Sequence, residues 1–159
     1  MKKVLITGGG GFIGGHLALK LKELFQIRSV DSKSFDKWYS FDKDLDNRCL
    51  DLNNFDACVE ATQDIDYVFH FACNMGGMGF IEHHKTECMM SVIPDSFMLK
   101  ASKMNNVKEF LFSSSACVYP QSLQNTNKVQ QLSEELAYPA DSEDGYGWEK
   151  LFIERMCRH

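Results

Sequence analysis

The glycine cluster near the N-terminus constrains this chain more than any other feature. Residues 3–7 form a short apolar run, T-G-G-G-G-F-I-G occupies residues 7–14, and Phe12, Ile13, Leu17, Leu21 and Leu24 follow at helical spacing. A buried strand that turns on glycines into an amphipathic helix presents the helix N-terminus at the turn. Unbonded N–H groups and the helix dipole make that end attractive to anions, and glycines let a pyrophosphate approach the backbone. The glycines at 8, 11 and 14 are spaced G-x-x-G-x-x-G rather than G-x-G-x-x-G. A flexible turn would account for the glycines alone; their place between strand and helix points to a dinucleotide site.

The rest of the chain repeats the alternation. Residues 27–30, 48–50, 67–71 and 109–113 predict four further strands, and residues 55–62, 84–104 and 146–159 predict helices. Pro94 falls inside the second of these helices and removes a hydrogen bond there, so a kink or break is expected. Residues 32–46, 74–80 and 114–145 read as loops, and His70 is expected to pack within its strand. Strands alternating with helices predict an α/β fold, a Rossmann-like, doubly wound parallel sheet covered on both faces. At the tip of the second strand, Asp31 can accept hydrogen bonds from both ribose hydroxyls of an adenosine. It would repel a 2′-phosphate, which points to NAD rather than NADP. Asp51, read as the end of the third strand and followed by Leu52, is placed to meet the adenine; a solvated turn acid is the ordinary alternative for both aspartates.

Composition narrows the class. The chain has 159 residues, the length of one ordinary domain. Seventeen Lys and Arg against 22 Asp and Glu give a net charge of −5, and no basic stripe offers itself to nucleic acid. No apolar run approaches the roughly 20 residues that span a bilayer. None of the six cysteines forms a C-x-x-C pair, and His83 and His84 have no partner at metal-ligand spacing, so no metal is expected. Lys2 and Lys3 precede an apolar stretch, but it is broken by glycine and has no cleavage site; reduced thiols in the cytoplasm are the expectation.

A second constellation lies at the far end. Tyr146 and Lys150 stand four apart, on one helical face. A nearby ammonium favours phenolate and makes tyrosine a usable proton acceptor near neutrality. Y-x-x-x-K is common by chance, and gains weight here from the strand ending in Ser113, Ser114 and Ser115, whose last hydroxyl could bond the same substrate oxygen. Cys117 reads two ways, as a thiol that exchanges a proton at an activated carbon or as a small buried side chain.

Taken in order, T-G-x-x-G-x-x-G, Asp31, Asp51, Ser115 and the Tyr146/Lys150 pair resemble the extended short-chain dehydrogenase/reductase family of sugar-nucleotide enzymes. The segments N-M-G-G-M-G-F-I at 74–81 and S-S-A-C-V-Y-P at 114–120 make it most similar to the branch that epimerises GDP-mannose at C3 and C5. The resemblance implies NAD bound through Gly8, Gly11, Phe12, Ile13, Gly14, Asp31, Asp51, Leu52, Phe71, Ala72, Tyr146 and Lys150. It implies Tyr146 as the base at the sugar C4 hydroxyl, Lys150 as its electrostatic partner, and Ser115 as a substrate contact. Cys117 becomes one member of the acid/base pair at C3 and C5, and Gly76 a backbone contact to substrate. A nucleotide-sugar 4-epimerase or 4,6-dehydratase, and an NAD-binding fragment without catalysis, stay open beside it.

Family members continue well past this helix. The expectation is therefore a single NAD-binding domain over residues 1–159, without the last sheet strands and the C-terminal substrate domain. The second acid/base residue and the GDP-binding residues would lie beyond His159. An exposed sheet edge and an uncovered helix face predict a homodimer, which in the family forms through helices near 84–104 and 146–159. Cys73, where the family usually has alanine, is expected to leave the chemistry untouched.

Overall fold

The computed structural model describes residues 1–74, 76–124 and 131–159, and all of their side chains but that of Met78. The expected loop at 74–80 includes Met75, and that at 114–145 includes residues 125–130; these lie outside the described residues. The chain divides into two compact units, residues 1–73 with 93–113, and residues 74–92 with 114–159.

The first unit is built on five parallel strands, β1 (Lys3–Thr7), β2 (Gln26–Asp31), β3 (Asp46–Cys49), β4 (Tyr67–His70) and β5 (Glu109–Phe112), in the order β3-β2-β1-β4-β5. Alternation along β1 decides the two faces. Val4 and Ile6 pack with Ala18 of α1 (Phe12–Leu21). Leu5 points the other way, into a cluster with Cys58 and Ala61 of α2 (Phe55–Thr62) and Met98 and Ala101 of α5 (Val92–Met104). The sheet is thus doubly wound, as the alternation of elements predicts. Strand order reverses at β1 and β4, and in such sheets ligands bind at the carboxyl ends of the strands flanking the reversal.

Several boundaries differ from the sequence reading. The first helix stops at Leu21, because the N–H groups of Leu24 and Phe25 turn back to the Leu21 carbonyl and deliver Gln26 to its bond with Lys2. β3 starts two residues early, drawn in where Asp46 pairs with Arg28 on the neighbouring strand at 2.7 Å. It ends at Cys49, so Asp51 is an exposed turn residue beyond the strand and not its tip. The helix expected over 84–104 is two helices, α4 (Lys85–Met89) and α5. Its break falls at residues 90–91, and Pro94 sits in the first turn of α5, where a missing N–H costs no helical bond.

The opposite end of the sheet is tied by Asp66. Its carboxylate accepts from the Lys3 N–H at 2.9 Å and pairs with Lys108 at 2.6 Å and Lys2 at 3.3 Å. The Lys108 hydrogen bond, followed by that from Lys3, holds this carboxyl well below the usual carboxylate range. A carboxyl lowered on folding adds stability that is complete above its unfolded value, about 3.9, and is lost as pH falls further. Urea midpoints measured across pH 2–6 are expected to drop on the acid side in the native chain. Asp66→Asn should flatten that drop and lower the midpoint at neutral pH.

The second unit contains α3 (Met78–His83), α4, α6 (Gln121–Gln124) and the long α7 (Asp144–Arg158), with 3₁₀ turns at Ala116–Val118 and Glu134–Ala137. α3 begins within a stretch read as loop. Glycines at 76, 77 and 79 mask it in sequence, but the Gly77 carbonyl accepts from Phe80 and Ile81, and Ile81 is buried with Cys88 and Tyr146. A second cluster joins Val118, Ala137 and Leu151. No helix among the described residues is long and apolar enough to cross a membrane.

Candidate functional site

In the first unit the expected cofactor residues gather at the carboxyl ends of β1, β2 and β4. The turn depends on Gly8, whose φ of +69° is strained for any other residue. A side chain there would lie 3.0 Å from the backbone of Phe71 and Ala72, so the glycine turn rests on the segment that leaves β4. Gly11 precedes α1, which has no side-chain cap and no acid in its first turn. The leading N–H groups of the helix, those of Phe12 and Ile13 among them, therefore face outward without a carboxylate to neutralise them. Such an end suits a diphosphate.

Asp31 stands beside this turn. Its carboxylate accepts from the Gly10 N–H and from the Lys33 N–H, each at 3.0 Å, and is oriented before any ligand arrives. The following loop folds back on the glycines: Tyr39 N–H bonds the Gly10 carbonyl at 2.9 Å, and the Trp38 ring covers Gly10. Asp51 accepts from the Asn53 N–H and side-chain amide, while Leu52 is buried in the core. The uncapped helix end and the preset carboxylate together fit an adenine dinucleotide with a free ribose.

The second unit brings together the expected reaction residues. Tyr146 and Lys150 are both buried on α7, and the Lys150 ammonium lies 5.6 Å from the centre of the Tyr146 ring. Glu149, buried as deeply, places Oε2 3.4 Å from Lys150 Nζ. Sequence reasoning passed over this glutamate, because an acid next to a lysine on a helix ordinarily faces water. Ser115 caps the 3₁₀ turn, its hydroxyl accepting from the Cys117 N–H at 3.2 Å. Cys117 packs on the cluster containing Tyr146. Its carbonyl accepts from the Glu143 N–H at the start of α7, and Gly147 lies directly against it. Gly76 lies just before α3, with Phe80 packed upon it.

Gly147 was also missed, and it is what lets the cysteine turn touch the helix. A Cβ at 147 would stand 2.1 Å from the Cys117 carbonyl oxygen, a backbone atom that cannot swing aside. Gly147→Ala is expected to separate Cys117 from Tyr146 and to lower turnover about a hundredfold, the scale of a 1 Å misplacement. Steady-state rates alongside a thermal melt check this.

Two other cysteines are buried differently. Burial, helped by Asp51, pushes the Cys58 thiol up to about 12, and burial also raises that of Cys88. A thiol held protonated is inert. Cys49, Cys58, Cys88 and Cys117 are free thiols.

The model of the NAD dependent epimerase/dehydratase family matches residues 4–159. The chain is 38% identical to GDP-mannose 3,5-epimerase 1 of Oryza sativa subsp. indica and 37% identical to GDP-mannose 3,5-epimerase of Arabidopsis thaliana. Each match covers 99% of this chain and 42% of the relative, so the chain spans about two-fifths of the length of these proteins. Among solved structures, UDP-glucose 4-epimerase of Thermus thermophilus in complex with NAD superimposes with a TM-score of 0.80 at 19% identity, over 97% of this chain and 49% of that one. A UDP-N-acetylglucosamine 4-epimerase from Methanobrevibacter ruminantium gives 0.77 at 27% identity, over 99% and 49%.

Proposed function

The chain belongs to the NAD dependent epimerase/dehydratase family, and from that premise we propose that residues 1–159 are the NAD-binding portion of an epimerase that inverts C3 and C5 of GDP-mannose. The observation that carries this reading is the seating of Cys117 on the Tyr146 cluster, against Gly147. An epimerase working only at C4 needs a tyrosine base and has no use for a thiol beside it.

The roles follow from the chemistry. NAD, when bound, supplies reversible hydride acceptance from the sugar C4. The first-turn N–H groups of α1 and the glycine turn would hold its diphosphate and Asp31 its adenosine ribose, with Phe71 and Ala72 against the turn. Asp51, exposed and beyond its strand, is left an outer contact to the adenine. Tyr146 takes the proton of the C4 hydroxyl, and the Lys150 ammonium favours the phenolate that does so. Ser115 donates to the same sugar oxygen. A carbonyl at C4 acidifies the C–H bonds at C3 and C5, and Cys117 acts there as one member of the acid/base pair, its sulfur taking up a proton as the base or its S–H giving one back as the acid. Gly76 offers backbone to the sugar.

The chain as a whole supports two further parts of the reading. Trp148, Phe152 and Met156 follow one another along α7 at four-residue spacing and are exposed, as are Met89 and Met90 at the end of α4. We assign that apolar face to a second copy of the chain; light scattering should return a dimer, and a stable monomer overturns this. The compartment that fits free thiols at Cys49, Cys58, Cys88 and Cys117 is the cytoplasm.

Cys117→Ala tests the reaction assigned. With GDP-mannose as substrate, the variant is expected to lose proton exchange at C3 and C5 by about 10²–10⁴-fold, the range of one general acid/base group. Inversion of UDP-glucose at C4, undiminished in the same variant, would establish the 4-epimerase reading instead.

A further inference from the structure

Thr7, His70 and Asp95 form a line of buried polar groups that no step above uses. Thr7 Oγ1 lies 2.7 Å from His70 Nδ1, and His70 Nε2 lies 2.9 Å from Asp95 Oδ1. The histidine and aspartate side chains are wholly buried, with the rings of Phe110 and Phe112 beside the imidazole. Thr7 Oγ1 also receives two backbone donors: the Ala72 N–H at 3.1 Å, and the Phe71 N–H at 3.2 Å, the latter shared with the Thr7 carbonyl.

One placement of protons satisfies every bond in this line. A hydroxyl has two acceptor lone pairs and one proton. With both lone pairs engaged by N–H groups, the Thr7 proton goes to His70 Nδ1. That nitrogen is unprotonated, so the neutral imidazole carries its proton on Nε2. Nε2–H then donates to Asp95 Oδ1. Asp95 thereby selects the tautomer that keeps Thr7 a double acceptor.

The segment held in this way is the one beneath the glycine turn. Gly8 stands within 3.0 Å of it at the position where a Cβ would be, so a shift of Phe71 and Ala72 moves the turn as well. We infer that Asp95 and His70 are positioning residues for the NAD site, acting through the Thr7 hydroxyl to pin Phe71 and Ala72 against the glycine turn. The inference deepens the reading of that turn as an NAD site and rests on it. Asp95 reaches the line from the first turn of α5, immediately after Pro94.

The test joins a spectroscopic signature to a binding constant. Long-range ¹H–¹⁵N correlation of the ¹⁵N-labelled chain, with His70 assigned by its loss in His70→Gln, should show Nε2 protonated and Nδ1 bare. NAD is then titrated calorimetrically into the native chain and its variants. Thr7→Val and Asp95→Leu should each weaken NAD about tenfold or more, the effect of one lost buried hydrogen bond. Thr7→Ser keeps the hydroxyl and Asp95→Asn keeps an acceptor, and both should bind within about threefold of native. A proton on Nδ1 in the native chain overturns the inference, and does so even if Asp95→Leu fails to fold. Native NAD binding retained by a folded Thr7→Val overturns it too, and leaves the glycine-turn reading standing. A native chain that does not bind NAD overturns both.

Discussion

Gly14→Ala is expected to abolish NAD binding by a chain that otherwise keeps its fold. A Cβ at position 14 would lie 2.4 Å from the Gly8 carbonyl oxygen, 2.9 Å from the Gly8 carbonyl carbon and 3.0 Å from the Gly9 Cα. All three are backbone atoms of the turn itself, so no side chain can yield. Helix α1 must move away from the glycines, and its N-terminal N–H groups leave the position where a diphosphate would lie. The same overpacking costs about 1–3 kcal/mol of stability, which a domain of ordinary stability survives. Calorimetric titration should show the NAD dissociation constant raised about a hundredfold or more, with circular dichroism little changed. A variant that binds like the native chain would remove the glycine turn from the cofactor site.

Tyr146→Phe should have the largest effect on the reaction. The phenol oxygen is the proposed acceptor of the C4 hydroxyl proton, and a positioned acid/base group contributes about 10²–10⁴ in rate. Phenylalanine keeps the ring that packs with Ile81 and Cys88, so the loss should fall on kcat, with NAD affinity within about threefold of native. The protein that carries this chain is the one to assay, with GDP-mannose as substrate. Retention of more than about a tenth of the native rate would displace Tyr146 from its role.

What was legible in the sequence was whatever depends on local pattern. The glycine turn, the apolar strands and the tyrosine–lysine spacing are read within a few residues of chain, and the parallel sheet appears as those patterns predict. The misses arise from contacts distant in sequence. α3 exists because Ile81 is buried against Tyr146, a partner its glycine-rich surroundings do not announce. Asp46 joins β3 because Arg28 draws it there. His70 was conspicuous as the one polar residue of its strand, yet its partners, Thr7 and Asp95, come from a different strand and from a helix. Gly147 and Glu149 looked like ordinary helix residues until packing put one under the Cys117 carbonyl and the other beside a buried ammonium. Asp51 shows the opposite failure, an acid assigned to a strand tip that lies two residues earlier.

Inversion at C3 and C5 is the central claim, and solvent hydrogen reports it directly. GDP-mannose incubated in deuterium oxide with the NAD-bound protein should be recovered carrying deuterium at both carbons, and a Tyr146→Phe control should leave it unlabelled. Turnover of the sugar nucleotide with no deuterium at either carbon would contradict inversion at C3 and C5.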